Sequence, residues 1–313
     1  MKPQFFFSFL LICCSIGTVL SQDNEEVTTR IWMDSVVVKA QRDGFDVEAF
    51  ITKVRNDKSF YQAFRNLRYV SYTADNEMHF ENKKEKHKAD YQSITRQNVM
   101  GSCRSMQTLS SNITGDFYKK KEKYRFYTAK MFDEIFFTKD TVCESLARDN
   151  INHIDTTKQL KGIQKHVQEL KKLIFQPGER VNVPLIGHKT AVFDEDMRKY
   201  YQYNLKSEKY ANAIDCYVFE VKMAPEYEER KEGKTIIKYM ATYFDKSNFQ
   251  VISRNYDLSY NGALFSFEVH MDIELTQVDG YYVPRQIEYD GFWNVITKRK
   301  EMGNFKAKFY DFK

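Results

Sequence analysis

Phe265-Ser266-Phe267-Glu268-Val269-His270-Met271-Asp272-Ile273-Glu274-Leu275-Thr276 alternates without a fault. Phe265, Phe267, Val269, Met271, Ile273 and Leu275 are apolar, and every residue between them is polar. Successive side chains of a strand point to opposite faces, so this stretch is one long strand with a greasy side and a wet side. Asp279-Gly280 follows, a pair that tolerates the positive φ angles of a tight hairpin turn, and Tyr281-Tyr282-Val283 begins the return strand. A sheet with one apolar face must cover it, with its own helices, a partner or a lipid. Which of these covers it is the functional question.

Working outward, the same period of two marks Cys216 to Met223, Ile236 to Phe244, Phe249 to Tyr256, Tyr281 to Tyr289 and Asn304 to Phe312 as strands, with Ala191-Val192-Phe193 as a shorter one. Further strands are expected at 69–80, 89–100, 104–114, 122–130 and 132–138. Turns fall at Asn82-Lys83-Lys84, Gly115-Asp116, the charged loop 225–234 and Asp245-Lys246-Ser247-Asn248. Helical spacing appears in two places. Val47, Phe50, Ile51 and Val54, then Phe60, Phe64 and Leu67, predict a helical hairpin, with Asp57 and Ser59 as caps for its second helix. Leu160, Ile163, Val167, Leu170 and Ile174 predict a helix over 157–175, stopped by Pro177-Gly178. The fold class is α+β: one large curved antiparallel sheet packed on helices. The expected organisation is a signal peptide at 1–21, an N-terminal extension with the helical hairpin at 22–68, and a single sheet domain at 69–313.

Composition narrows the class. Aromatic residues make up 15% of the chain, with 25 Phe and 21 Tyr against 2 Trp, which favours strands and a large apolar interior. Twelve Gly and five Pro are too few for long disordered linkers. Lys2, the apolar run Phe5 to Ile12 and Val19-Leu20-Ser21 form an export signal with cleavage expected after Ser21, and the periplasm as destination. Cys103, Cys143 and Cys216 remain in the mature chain. Export permits a disulfide, and Cys103 with Cys143 is the favoured pair; three buried free thiols are the alternative.

Reaction chemistry finds no anchor. None of the six histidines has a close metal-ligand spacing, so no metal site and no cofactor are expected. His270 sits between Glu268 and Asp272 as a residue of a solvated sheet face. Serine-hydrolase elbows and phosphate-binding glycine loops are absent. An enzyme would have to assemble its groups from distant parts of the chain, with Cys103 and His270 the first to test. An outer-membrane barrel would need many strands as clean as 265–276. Two basic runs, with Lys83 and Lys84 in one and Lys119, Lys120 and Lys121 in the other, fall at expected turn tips. They serve either as solvated tips or as attachment to anionic headgroups at a membrane surface. Nucleic acid is a poor partner for an exported chain.

The layout resembles the LolA/LolB-like envelope proteins. Met240-Ala241-Thr242-Tyr243-Phe244-Asp245 with Phe249-Gln250-Val251-Ile252-Ser253-Arg254 is similar to that family's paired strands. Gly280-Tyr281-Tyr282-Val283-Pro284-Arg285-Gln286-Ile287 is similar to its later strand, where Pro follows a hairpin. The resemblance implies an unclosed half-barrel wrapped around helices, and an apolar inner surface that holds acyl chains of lipids or lipoproteins. Phe265, Phe267, Val269, Met271, Ile273 and Leu275 would then line the lipid site. The expected function is non-catalytic binding of a lipid or acylated protein in the bacterial cell envelope. The alternative is a structural module of the envelope whose apolar face packs fully against its own helices.

Overall fold

The long alternating stretch forms β12 (Phe265–Val278), which returns through Asp279 and Gly280, both at positive φ, as β13 (Tyr281–Val295). These are two of twelve strands in one antiparallel sheet. The architecture is that of a computed structural model, described for residues 29–31, 47–82, 87–120, 123–143, 173, 176–182, 186–228, 233–262, 265–295 and 300–313.

The N-terminal part supplies β1 (Thr29–Ile31), the helices α1 (Val47–Asn56) and α2 (Ser59–Asn66), and then the meander β2 (Tyr72–Asn82), β3 (His87–Met100) and β4 (Cys103–Gly115). A small separate ribbon, β5 (Tyr118–Lys119) with β6 (Lys123–Tyr124), precedes α3 (Tyr127–Phe136) and β7 (Thr141–Cys143). The second meander runs β8 (Tyr201–Tyr210), β9 (Ile214–Met223), β10 (Ile237–Asp245), β11 (Val251–Asn261), β12, β13 and β14 (Glu301–Tyr310). Across the sheet the order is β1-β8-β9-β10-β11-β12-β13-β14-β2-β3-β4-β7. The last strand therefore sits beside β2, joining the two meanders. Ser71 and Lys313 exchange backbone hydrogen bonds at that seam. Among the described residues the outermost strands β1 and β7 do not pair with each other, so the sheet stays open.

One face is mostly apolar, interrupted by Asn76 on β2, Ser93, Thr95 and Gln97 on β3 and Arg254 on β11. Phe267, Val269, Met271, Ile273 and Leu275 are buried, as are Tyr256 and Leu258 on β11, Tyr289 on β13 and Phe305 on β14. Two helices cover parts of it. α2 buries Phe60, Ala63 and Phe64 and lies against β13 and β11. α3 lies against β14, with the Phe132 ring stacked on Phe305 at 3.9 Å and edge-on to Tyr289 at 5.2 Å. Each such ring contributes about 1.5–3 kcal/mol of burial.

Two expectations are corrected. Residues 122–130 and 132–138 are not strands: only Lys123–Tyr124 pairs, and Tyr127–Phe136 is helix. Their aromatic richness favours strands, but Ala129, Phe132, Asp133 and Phe136 recur at helical spacing, and all are buried against the sheet. Ala191-Val192-Phe193 follows a 3-10 turn at Gly187–Thr190 and is likewise no strand, although all three are buried. The strand β8, only weakly alternating, goes unmarked in the sequence reading. The signal peptide at 1–21 lies outside the described residues. So does the helix expected at 157–175, except for Leu173, which is helical and buried.

Candidate functional site

An opening toward the apolar face lies where the α1–α2 hairpin meets the sheet. A cavity of about 710 Å³ is bounded by the hairpin, residues 176–180 and 191–194, Met240 on β10 and Arg254 on β11. Val54, Phe60, Phe193 and Met240 are its buried apolar wall. Its rim is charged, with Arg55, Asp57, Lys58, Arg180 and Asp194.

Local sequence builds each wall. The hairpin turns at Asp57-Lys58: Lys58 takes the N-cap position of α2 without a side-chain cap, and Asp57 Oδ1 accepts the backbone N–H of Ser59 at 3.3 Å. Gly178, after Pro177, takes a φ of +97°. Its carbonyl accepts the N–H of Val192 at 3.1 Å, while the Thr190 hydroxyl donates to the carbonyl of Glu179 at 2.6 Å. Asp194 joins the walls. It accepts two hydrogen bonds from Arg180, at 2.6 and 3.0 Å, and lies 3.5 Å from the guanidinium of Arg55 on α1.

Arg254 is the unusual member, an arginine on the apolar face that is only 7% exposed. Its Nε donates to Thr242 Oγ1 at 2.9 Å, and its guanidinium lies 4.3 Å above the ring of Phe60. Burial pushes its pKa down, and the charge of Asp57 opposes that shift. An arginine stays protonated even so, so the cavity carries a fixed positive charge against its aromatic wall. Asp57 Oδ2 is buried with no hydrogen-bond partner among the described residues. A buried donor and a buried acceptor thus border the same cavity beside its apolar wall, the arrangement that orients a ligand with a polar head and an apolar body.

The six expected lipid-site residues stand on the apolar face but not around this cavity. Phe265 is half-buried, the other five are buried in the core, and none lines the opening. In the sequence Arg254 and Met240 stand out only as residues of their strands. A lone arginine in the apolar register of β11 is the signal that could have marked the site. Cys103 and Cys143 face each other across β4 and β7 and are joined as a disulfide, leaving Cys216 as a buried free thiol. His270 lies on the opposite, polar face, bonded to Asp257 at 2.6 Å. Lys119 and Lys120 are exposed, whereas Lys83, Lys84 and Lys121 lie outside the described residues. Among the described residues no cluster of His, Cys, Asp or Glu is built to hold a metal ion, and no helix is long and apolar enough to cross a membrane.

No protein-family model matches the chain, and no curated protein matches it. Solved structures do. A domain from Vibrio parahaemolyticus described as an outer membrane lipoprotein-sorting protein is 12% identical, over 85% of this chain and 89% of that one, with a TM-score of 0.26. A LolA superfamily protein from Nitrosomonas europaea is 10% identical over 82% and 91%, with a TM-score of 0.22. A lipovitellin structure is 7% identical over 78% of this chain and 25% of its own, with a TM-score of 0.29. LolA-superfamily and lipoprotein-sorting structures are thus among the neighbours of this open antiparallel sheet. At these identities and scores the likeness says nothing of ligand, and the architecture stands on the strand pairing itself.

Proposed function

We propose that this chain is an exported, non-catalytic protein of the bacterial cell envelope that takes up a lipid or a lipidated partner between its helical hairpin and the apolar face of its sheet. The observation that carries the reading is the cavity under the hairpin: an apolar wall, a buried arginine and a charged rim, in a volume of about 710 Å³ that suits a small-molecule ligand. An acyl chain entering it would pass Met240 and Phe60 beneath the hairpin, beside Arg254 on β11. Each methylene buried there contributes about 0.8 kcal/mol, so shape and burial suffice for useful affinity without chemistry. Lys119 and Lys120 would face an anionic surface during transfer.

Burial of Phe267, Val269, Met271, Ile273 and Leu275 favours a second reading, a packed envelope module without a ligand. Displacement of a fluorescent fatty acid separates the two. Met240→Trp fills the cavity from its wall and should weaken uptake about tenfold or more, the equivalent of two buried methylenes, with the fold retained. Unchanged uptake in a folded Met240→Trp protein, or no uptake by the wild type, would leave the packed module.

A further inference from the structure

The polar face of the sheet carries a second concavity, a groove of about 620 Å³ lined by β2, β3, β4, β12, β13 and β14. Its floor is a register row with one side chain per strand. His270 pairs with Asp290, Asp290 with Asn304, Asn304 with His79, His79 with Asp90, and Asp90 with Thr114. The row crosses the strands rather than following one. Neighbouring strands lie about 4.8 Å apart, so it runs about 24 Å with a polar group at every step.

We propose that this groove binds a linear, non-acidic oligosaccharide lying across the strands. Three observations select that chemistry. The step from strand to strand is close to the length of one pyranose ring in an extended chain, so each strand meets one sugar. The side chains are carboxylates, amides, imidazoles and a hydroxyl, which offer donors and acceptors side by side, as sugar hydroxyls require. Asp290, Asn304, Gln92 and Asn112 line the groove and are exposed to solvent.

Other occupants fit less well. Glu77, Asp90, Glu288 and Asp290 outnumber the bases of the groove, Lys306 with His79 and His270, so the field disfavours nucleic acid, acidic glycans and anionic headgroups. A protein partner would need apolar anchors, yet the three large apolar residues at the groove, Met78, Tyr289 and Phe305, are buried with their side chains on the other face.

The test is titration of the isotope-labelled mature protein with maltohexaose, cellohexaose and chitohexaose, followed by NMR. Polygalacturonate and a lysine-rich peptide serve as comparisons. At least one neutral hexasaccharide should shift amides of β2, β13 and β14, and its disaccharide should bind far more weakly. Asn304→Ala, at an exposed position, should weaken binding about fivefold, the loss of one hydrogen-bonding side chain, with the remaining spectrum unchanged. Silence from all three sugars, equal affinity of disaccharide and hexasaccharide, or a preference for the lysine-rich peptide would overturn the proposal.

Discussion

Glu301 ties together residues almost two hundred positions apart. Its carboxylate, at the start of β14, accepts the backbone N–H of Tyr127 at 2.8 Å and of Thr128 at 2.7 Å, the exposed donors at the N-terminus of α3. A carboxylate there satisfies otherwise orphaned N–H groups and meets the positive end of the helix dipole. Glu301→Ala should cost about 1 kcal/mol, and Glu301→Gln less, read as shifts in the urea midpoint. Gly291 makes a different demand. A Cβ there would meet the Tyr289 hydroxyl at 1.9 Å, and that hydroxyl is held by Trp293 Nε1 at 2.6 Å. The ring is buried and cannot swing away, so Gly291→Ala should cost about 1–3 kcal/mol in the same assay. His79 adds a pH dependence. Its hydrogen bond to Asp90 at 2.5 Å raises its pKa above 6.5, burial opposes the shift, and Glu81 adds to it. A raised folded pKa means that the stabilisation is complete below the unfolded value and is lost as pH rises through the folded one. NMR titration should place His79 above 6.5, Asp90→Asn should return it toward that value, and a native value at or below 6.5 would refute the pairing.

At the scale of elements, hydrophobic period separates what the sequence discloses from what it hides. β12 was legible because its polar face meets water and its other face meets core, so alternation survives intact. The α1–α2 hairpin was legible for the same reason at helical period, with Ile51, Val54, Phe60 and Phe64 buried. α3 was not, because its aromatic residues favour strands and its exposed polar stripe is only Lys130 and Glu134, while the charged Asp133 is buried among apolar residues and blurs the period. The cavity was hidden more deeply. It is assembled from the hairpin, residues 176–180 and 191–194, and two strands, and no local pattern reports their meeting. Arg254 breaks the apolar register of β11, but a single exception cannot be told from a bulge until the partner strand is seen. The disulfide belongs to this scale as well. Cys103 and Cys143 are 40 residues apart, and closing a loop of that length restricts the unfolded chain by about 4 kcal/mol on chain-entropy grounds. Reduction, or Cys103→Ser with Cys143→Ser, should lower stability by up to about that amount while α3, carried inside the loop, stays helical by circular dichroism.

For the whole molecule, leaving the sheet open has a consequence at its edge. β7 pairs with β4 only from Cys103 to Ser105, so the rest of β4 has no outer partner among the described residues. From Gln107 to Gly115 that strand is exposed, and no charged residue occurs between Arg104 and Asp116. An uncharged, unpaired edge is a template for another chain. One feature guards it, a register shift against β3 between Ile94 and Thr95 that leaves Leu109 without an opposite residue. Such a bulge bends the strand and interrupts its row of free backbone groups. Leu109 and Ile113 remain exposed on this edge, so it is where native molecules should first associate on mild heating. Leu109→Lys and Ile113→Lys place charge there without touching the core. Light scattering after mild heating should fall in both, with unfolding free energy unchanged within about 0.5 kcal/mol. Equal scattering from both variants and the wild type would show that association starts elsewhere, with the opposite edge strand β1 the next place to introduce a charge.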